Sequence, residues 1–316
     1  MPEVPEVAIE VQYLKTKLIG KTITSVKIMS GRYTHEKLKG INKLVGPYKI
    51  VDIDSKGKML WFVLKHTGSG EKLYMLNTLG MTGRWGFYKD QSSRIRFRIC
   101  CDSKMGKDTK DTKGVKGAKG VYNLYYTDQR NFGQLSIFES KDELQTRIDR
   151  LAPDLLKGGL TDRDVVNRIM SYIKKQHSKK INLVRVLMED QTAIVSGIGN
   201  YLVAEILYDA MLNPHRNLSD LTPAEIKRLA HSMRKIAKQS YYDNQTGYME
   251  NYAIFMKAHP VKVDRKIFPN YLPDIKPDTA FEFKVYQLDK DRLGNKVKKD
   301  QIIKGRTIHW VPAVQK

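Results

Sequence analysis

Residues 22–138 alternate between short runs of β-branched and aromatic residues and polar segments that contain Gly, Asp and Ser. The runs read TITSVKI, YKIVDID, KMLWFVLKH, KLYMLNT, RIRFRICC and VYNLYYTD. Residues of the first kind favour strands, and those of the second kind favour turns. The pattern therefore predicts an antiparallel β-sandwich or barrel.

One helix is predicted ahead of these strands. Its apolar residues recur at helical spacing: Val7, Val11, Leu14 and Leu18. Gly20 ends the pattern, as glycine commonly does at a helix terminus. A helix followed by an antiparallel sheet indicates an α+β fold.

The second half of the chain is predicted to be helical from about Leu151 to Tyr242. In LTPAEIKRLAHSMRKIAKQ, Thr222 is the expected N-cap, Pro223 takes the first helical position and Glu225 completes a capping box. Further on, FEFKVYQL and GRTIHWVPAVQ supply two strand candidates, which predict a small C-terminal β-hairpin.

These patterns divide the chain into four parts. We expect an N-terminal β-sandwich domain over 1–138, a linker over 139–150, a helical domain over 151–250 and the hairpin region over 251–316. Within the first part, residues 103–120 form a tract of Lys, Gly, Asp and Thr. Its lysines could contact DNA, but a solvated loop between two strands is the favoured interpretation.

The charge of the chain indicates its partners. The formal net charge is +22 and the sequence pI is near 9.7. Such a surface attracts polyanions, with nucleic acid the first choice and an anionic membrane surface the second. Since the chain has neither an apolar run of about 20 residues nor a basic, apolar signal peptide, we expect a soluble intracellular protein.

The chain has two cysteines, Cys100 and Cys101, which are neighbours in a strand-like run. Side chains of adjacent strand residues point to opposite faces. The pair cannot build a disulfide framework or a four-ligand zinc site, and buried or half-buried thiols are expected.

The N-terminal stretch MPEVPEV places proline directly after the initiator methionine. Removal of Met1 would leave Pro2 with a secondary amine at the start of the chain. An α-amino group titrates near pH 8, so a substantial neutral fraction exists at neutral pH. Pro2 is thus a candidate nucleophile.

Two further motifs allow both a functional and an ordinary interpretation. In SGIGNYLVAEIL, Gly197 and Gly199 favour a tight turn, Asn200 is the expected helix cap, and the amides at the helix start could bind a phosphate. A simple turn is the alternative. In GRTIHWVPAVQ, Arg306 is expected at a hairpin tip, either to contact a phosphate or as an ordinary exposed arginine.

The motifs occur in one order: Pro2 followed by Glu3, KGKML with Lys58, LGMTG, DQRNFG, GIGNYLVAEIL and GRTIHWVPAVQ. Taken together, this set resembles the formamidopyrimidine-DNA glycosylase and endonuclease VIII family of base-excision repair enzymes, over residues 2–315. The resemblance implies an N-terminal sandwich, a helix-two-turns-helix domain and a C-terminal finger hairpin.

The resemblance also implies a bifunctional DNA glycosylase and abasic-site lyase acting on oxidised bases. The Pro2 amine would attack the sugar carbon that carries the damaged base, and elimination from the resulting iminium would nick the strand. Glu3 matches the acid that assists sugar-ring opening and proton transfer. Glu6 matches a second acid, which lines the base pocket.

The remaining site residues follow from the same resemblance. Lys58, counted with the catalytic residues, matches a phosphate clamp together with Asn200 and Arg306. The residues that match the intercalating wedge are Met81, Arg130 and Phe132. An apolar wedge, a stacking ring and an arginine suit the space that a flipped nucleotide leaves.

The sequence departs from the family pattern at its C-terminus. Many members carry a four-cysteine zinc finger there, whereas GNKVKKD contains no cysteine and Val311 and Val314 stand at the second pair. A zincless finger held by apolar packing is therefore expected, with no metal or organic cofactor. Thr78 replaces the family's histidine in TLGM, and the lesion-capping segment cannot be recognised in NQTGYMENYAIF.

The expected partner is damaged DNA, in duplex form or as a single strand, bound by a monomer with no membrane association. One alternative is a catalytically inactive nucleic-acid-binding protein of the same fold, which would not need Pro2 or Glu3. Another is a lyase that acts mainly on abasic or single-stranded DNA.

Overall fold

A computed structural model describes most of the chain. It describes residues 2–101, 120–157, 159–176, 180–189, 191–243 and 282–316. Nearly all of the predicted loop at 103–120 and the whole of NQTGYMENYAIF lie outside these ranges. No helix in the described ranges is long and apolar enough to cross a membrane.

The described residues form two compact units. Unit 1 contains Pro2 and Glu10–Ile148, and unit 2 contains Glu3–Ile9 and Asp149–Lys316. The first helix, α1 (Val4–Leu18), contributes its first six residues to unit 2 and the rest to unit 1. Unit 2 therefore includes a short N-terminal segment that is distant in sequence from the rest of the unit.

The predicted linker at 139–150 is a second helix, α2 (Lys141–Arg150). The Ser140 hydroxyl accepts hydrogen bonds from the amides of Asp142 and Glu143, at 3.1 and 3.3 Å, and so caps the helix start. Leu144 is buried. A capped start and a buried apolar residue explain why this polar stretch is helical rather than an extended connection.

Unit 1 is built on eight strands that pair antiparallel. They are β1 (Thr22–Ile28), β2 (Tyr48–Lys56), β3 (Met59–His66), β4 (Lys72–Thr78), β5 (Arg84–Gly86), β6 (Ser93–Cys100), β7 (Val121–Thr127) and β8 (Gln134–Phe138). Their order in the sheet is β5-β7-β6-β1-β2-β3-β4-β8. The α+β class and the antiparallel sheet predicted from the sequence are confirmed.

The sheet of unit 1 folds back on itself around Trp85. This residue lies on the edge strand β5, yet its ring centroid is 5.0 Å from that of Phe62 on β3 and 5.4 Å from that of Phe97 on β6. Its indole N–H also donates to Asn77 on β4, at 3.0 Å. Because β5 is far from β3 and β4 in the strand order, these contacts make two layers with a shared core.

Helix α1 has the predicted apolar positions, and all of them are buried: Val7, Val11, Leu14 and Leu18. Gly20 then adopts a left-handed φ of 81° beyond the helix end. Within unit 1, the buried Glu10 carboxylate accepts a hydrogen bond from the Trp85 amide. Burial raises the pKa of Glu10 to about 8, against the opposing effects of that hydrogen bond and of Arg84.

The described residues of unit 2 form four further α-helices and one hairpin. They are α3 (Asp162–Lys175), α4 (Leu183–Met188), α5 (Asn200–Asp209) and α6 (Pro223–Asp243), followed by β9 (Lys298–Ile303) and β10 (Arg306–Trp310). Helix α6 packs against α3 and α5. The predicted capping box of α6 is confirmed. The Thr222 hydroxyl accepts from the Glu225 backbone amide at 3.3 Å, and the Glu225 carboxylate accepts from the Thr222 backbone amide at 2.7 Å.

The two cysteines have the predicted environment. Cys100, the last residue of β6, is buried, and Cys101 is half-buried. Neither belongs to a group of three or more His, Cys, Asp or Glu side chains that could hold a metal ion, and the part of the chain that the structure describes contains no such group.

Candidate active site

The Glu3 carboxylate is held at the start of helix α5. Its Oε2 atom accepts hydrogen bonds from the amides of Gly199 and Leu202, at 2.6 and 3.3 Å, and its Oε1 atom accepts from the amide of Tyr201, at 3.0 Å. The Glu3 residue is only 1% exposed. A carboxylate from the N-terminus therefore caps a helix that begins almost 200 residues later.

Asn200 is not the helix cap that the sequence predicts. The N-cap position is Gly199, and Asn200 is the first residue of α5. The Asn200 amide nitrogen Nδ2 instead donates to the carbonyl of Thr307, at 3.0 Å. The cap differs because Glu3 supplies the acceptor oxygens that an N-cap side chain would normally provide. The sequence allowed these amides at the helix start to bind a phosphate, but those of Gly199, Tyr201 and Leu202 already donate to Glu3.

The two glycines before α5 are required by the N-terminal segment. A Cβ at Gly197 would lie 2.4 Å from Cβ of Val4, and a Cβ at Gly199 would lie 2.4 Å from Cδ of Glu3. The Val4 amide also donates to the Gly197 carbonyl, at 3.0 Å. The glycines thus permit close approach of protein to protein here.

Glu6 is linked to the amide that joins Pro2 to Glu3. Its Oε2 atom accepts from the Glu3 amide at 2.9 Å, and its Oε1 atom accepts from the Tyr201 hydroxyl at 3.0 Å. The Tyr201 oxygen is in turn 3.0 Å from the Ser240 hydroxyl on α6. Burial, followed by the charges of Glu6 and Glu3, raises the pKa of Tyr201 well above its ordinary value.

The C-terminal hairpin carries Arg306 near its turn, as predicted, but its first strand is not the predicted one. Residues 282–288 of FEFKVYQL contain no strand, because the amides of Lys284, Val285 and Tyr286 donate to the Glu205 carboxylate rather than to a neighbouring strand. The strand that pairs with β10 is β9, which follows ten residues later.

Strands β9 and β10 are joined by the two residues Lys304 and Gly305, and Arg306 is exposed at the start of β10. Since Asn200 donates to Thr307, the next residue, the structure brings two of the three predicted clamp residues close together.

The third clamp residue, Lys58, belongs to unit 1. It lies in the tight turn between β2 and β3, where Lys56 pairs with Met59 across the hairpin. Gly57 has a left-handed φ of 57°, which suits a two-residue turn between antiparallel strands. Lys58 is half-buried.

The three predicted wedge residues lie on two loops of unit 1 that contact each other. The Arg130 guanidinium donates to the Met81 sulfur at 3.4 Å, and the Arg130 amide donates to the Thr82 hydroxyl at 3.0 Å. Phe132, two residues after Arg130, is 59% exposed. An exposed ring of this size is available to a ligand, and the wedge role stays a prediction.

Sequence reasoning missed Asp128, which joins these two loops. This buried carboxylate accepts from the Thr82 hydroxyl at 2.6 Å and from the Gly133 amide at 2.7 Å. Asn131, which lies between Asp128 and Gly133 in the sequence, has a left-handed φ of 55°. The available signal was an Asp between a strand and a glycine in DQRNFG, where a side chain commonly bonds its own loop.

The C-terminal region does not fit a zinc ion. Cysteine is absent from residues 282–316, and Val311, at one position where family members carry a ligand, is fully buried. Val314 is half-buried. Apolar side chains cannot coordinate zinc, so packing is consistent with the predicted zincless finger.

Hydrogen bonds to the Glu205 carboxylate on α5 also stabilise this region. The fully buried Glu205 carboxylate accepts from the amides of Lys284, Val285 and Tyr286, at 2.8 to 3.1 Å. Burial raises the pKa of Glu205, and the three amides oppose that rise. A carboxylate that holds three consecutive amides orders this segment without a metal.

A second buried polar side chain, Gln315, closes the end of the chain. Its carbonyl accepts from the Val311 amide at 2.7 Å, and its amide nitrogen donates to the carbonyl of Leu212 at 2.8 Å. The segment after β10 is thereby attached to the chain just beyond the end of α5.

Comparison with protein-family models identifies three consecutive domains. Residues 1–135 match the formamidopyrimidine-DNA glycosylase N-terminal domain, residues 160–250 match the helix-two-turns-helix (H2TH) domain of that glycosylase, and residues 273–316 match its C-terminal domain. Together the three models account for most of the chain.

Similar curated proteins carry the same name. The formamidopyrimidine-DNA glycosylase of Mycoplasma genitalium is 28% identical over 279 residues, which cover 83% of this chain and 86% of that protein. The glycosylase of Rhodococcus erythropolis is 28% identical over 242 residues, covering 74% and 75%.

Solved structures have the same fold over nearly the whole chain. MutM (Fpg) from Thermus thermophilus aligns with a TM-score of 0.68 and 21% identity, covering 99% of this chain and 98% of that one. The Lactococcus lactis enzyme bound to DNA containing an abasic site aligns with a TM-score of 0.69 and 20% identity, covering 99% of each chain. With three consecutive domain matches and this shared fold, the chain belongs to the formamidopyrimidine-DNA glycosylase family of DNA repair proteins.

Proposed function

We propose that this protein is a bifunctional DNA glycosylase and abasic-site lyase that removes oxidised bases through an iminium formed by Pro2. One observation carries the proposal: Pro2 is followed by Glu3, whose carboxylate and backbone amide are both held by buried partners. A pure DNA-binding protein has no need of a fixed acid beside a potential N-terminal secondary amine.

The names of the relatives support DNA as the partner. They include a Lactococcus lactis enzyme in complex with Fapy-dG DNA and MutM in complex with DNA containing carbocyclic 8-oxo-G. We infer that damaged DNA is also the partner of this chain, bound by a monomer inside the cell. The net charge of +22 favours binding to such a polyanion.

In the proposed reaction, the neutral Pro2 nitrogen attacks C1′ of the damaged nucleotide, and the base leaves with the electrons of the glycosidic bond. Opening of the sugar ring then gives an iminium between Pro2 and C1′. The positive charge acidifies the proton at C2′, and its removal drives elimination of the 3′ phosphate and breaks the strand. Glu3 is the proposed acid and base for the proton transfers at the sugar.

The binding residues act on the DNA backbone and the helix stack. Lys58, Asn200 and Arg306 are proposed to hold the phosphates around the lesion, which offsets the few kcal/mol that flipping a nucleotide costs. Met81, Arg130 and Phe132 are proposed to fill the vacated space, and Glu6 is the predicted second acid near the base. The exposed ring of Phe132 supports the wedge role.

Borohydride trapping on an oligonucleotide with one abasic site tests the chemistry. Reduction converts an iminium into a stable adduct, which peptide mapping would locate at Pro2. We expect an adduct with the processed protein, a weaker one with Pro2→Gly, and none with protein that retains Met1, because the Pro2 nitrogen is then an amide. Tight DNA binding without any adduct would favour the inactive binding protein.

Substrate comparison separates the two active alternatives. A glycosylase is expected to nick duplexes that contain an oxidised base as well as abasic duplexes. A protein that nicks only abasic or single-stranded DNA would instead be mainly a lyase. Affinity should fall by about 0.9 log units per log unit of salt for each phosphate neutralised, and Arg306→Ala should reduce that slope by about one phosphate.

A further inference from the structure

A buried chain of hydrogen bonds connects helix α6 to the peptide bond that follows Pro2. The links run from Ser240 to Tyr201 at 3.0 Å, from Tyr201 to Glu6 at 3.0 Å and from the Glu3 amide to Glu6 at 2.9 Å. All four residues are buried and belong to unit 2. Three separate parts of the sequence therefore meet at the residue next to the proposed nucleophile.

The hydrogen bonds of this chain have one consistent direction. Glu6 accepts from the Glu3 amide and from the Tyr201 hydroxyl, which uses the one hydroxyl proton of Tyr201. Ser240 must then donate to the Tyr201 oxygen. Each member thereby fixes the next, and the orientation of the Glu6 carboxylate depends on a hydroxyl almost 200 residues away.

We propose that Tyr201 is a positioning residue for Pro2, acting through Glu6 and the Pro2–Glu3 amide. The Tyr201 hydroxyl donates to Glu6, and Glu6 accepts from the Glu3 amide. The second hydrogen bond fixes the Pro2–Glu3 peptide bond and so limits the orientations available to Pro2 and its nucleophilic nitrogen. The inference rests on the proposed function, because it assumes that Pro2 attacks the sugar. Holding a nucleophile near its reacting geometry accelerates attack without strengthening DNA binding.

The packing of Tyr201 does not require its hydroxyl. The ring makes edge contacts with Phe283 and Tyr286, at centroid distances of 5.7 and 6.2 Å. Phenylalanine would make the same contacts, and burying a hydroxyl costs free energy unless it is hydrogen-bonded. The hydroxyl is therefore specifically used for the chain that leads to Glu6.

The same chain gives Glu6 a role that differs from lining a base pocket. Its two oxygens are engaged by Tyr201 and by the Glu3 amide, and the residue is almost completely buried. An abasic substrate has no base, so a residue that only contacts the base is silent on it. A residue that positions Pro2 affects attack on an abasic site as well.

The first experiment is the single-turnover rate of borohydride trapping on abasic duplex DNA, with the dissociation constant measured in parallel. We expect Tyr201→Phe to lower the trapping rate about tenfold or more, with DNA affinity within about twofold. Ser240→Ala should lower it by a smaller factor.

Two matched controls remove buried hydroxyls elsewhere. Ser232 lies on α6, as Ser240 does, and Ser232→Ala removes a 2.7 Å hydrogen bond to Asp209, the last residue of α5. Tyr48→Phe removes a 3.3 Å hydrogen bond to the Lys43 carbonyl in unit 1. Both are expected to trap at the parent rate. If the controls slow trapping as much as Tyr201→Phe, a general loss of packing explains the effect and the inference is wrong.

A double-mutant cycle tests whether Tyr201 acts through Glu6. Glu6→Gln retains one acceptor oxygen, so it breaks part of the same chain. If both residues position Pro2, Glu6→Gln should slow trapping on abasic DNA. The double variant should then be slowed by less than the product of the two single-variant factors. The inference is wrong if the double variant is slowed by the full product of the two single-variant factors. It is also wrong if Glu6→Gln is defective only on a substrate that contains a base.

The outcomes separate the inference from the proposed function. If the parent protein forms no adduct at Pro2, the proposed function fails, and the inference fails with it. If the parent forms the adduct and Tyr201→Phe forms it at the same rate, only the positioning role is wrong.

Discussion

The buried carboxylates of the two units have different surroundings. In unit 2, Glu3 and Glu205 each accept backbone amides from three residues. Among the described residues of unit 1, the Glu10 carboxylate accepts a single backbone amide, that of Trp85. The pKa of Glu10 is raised to about 8 by burial, which the single amide and Arg84 only partly oppose.

The difference shows what a buried acid needs in order to have a structural role. Several amide donors replace the water that a carboxylate loses on burial, and they fix its position as well. Glu3 uses this arrangement to join the N-terminal segment to the start of α5, and Glu205 uses it to join α5 to residues 284–286. Glu10 has fewer such donors, so pH should affect it more.

The largest effect is expected for Gly199→Ala, which tests whether Glu3 depends on its close approach to α5. The added Cβ would lie 2.4 Å from Cδ of Glu3, so the carboxylate must move. We expect a loss of about 3 kcal/mol in the free energy of unfolding, and trapping slowed at least tenfold. Denaturant unfolding measures the first, and adduct formation the second.

Gly305→Ala is the matched control. This glycine has a φ of 74° but no atom within 4 Å of the position of a Cβ. Only backbone strain is added, at about 1 kcal/mol. Equal losses for the two variants would contradict the requirement for space beside Glu3.

Glu205→Ala is expected to have the next largest effect, because it leaves the amides of Lys284, Val285 and Tyr286 without this acceptor. We expect a loss of about 2 kcal/mol in the free energy of unfolding, with faster hydrogen exchange at these amides. Glu205→Gln should lose less, since its remaining oxygen can still accept. If Ala and Gln give the same stability, hydrogen bonding by Glu205 does not stabilise the finger.

Glu10→Gln tests the opposite case. Because the folded pKa of about 8 exceeds the ordinary value of 4.5, the folded state retains a proton that the unfolded state has released between these pH values. The contribution of Glu10 to stability is therefore full below about pH 4.5 and is lost as pH rises towards 8, with a slope of up to about 1.4 kcal/mol per pH unit. The variant should flatten this dependence, measured by unfolding at pH 5 to 9; an unchanged slope would exclude Glu10 as its source.

The smallest effect is expected for a cap formed within one helical turn. Thr222→Ala removes the hydroxyl that accepts the Glu225 amide at the start of α6. We expect a loss of about 1 kcal/mol in the free energy of unfolding. Thr222→Ser retains the hydroxyl and should restore most of that loss, and a Ser variant as unstable as the Ala variant would argue against the cap.

Local patterns predicted much of the fold. Six of the eight strands described in unit 1, helix α1, the capping box at Thr222 and strand β10 with Arg306 follow from residues that are neighbours in sequence. The strands β5, β8 and β9 were not predicted, and FEFKVYQL is not a strand in its described residues. The sequence did not predict that the linker segment is helical, and the Ser140 cap and one buried leucine explain why α2 forms there. The prediction that Asn200 caps α5 was wrong because Glu3, almost 200 residues earlier in the chain, accepts the amides at the helix start.

The sequence by itself determined the family, the order of its domains and the chemical types of the candidate site residues, since these depend on motifs that are each continuous in the chain. Only the tertiary structure decided which partners those residues have. Glu3 accepts amides at the start of α5, and the Tyr201 hydroxyl donates to Glu6. Asp128 joins two loops of unit 1, and Glu205 accepts the amides of residues 284–286. Buried polar groups must find hydrogen-bond partners wherever the fold brings them, and sequence separation places no limit on that choice.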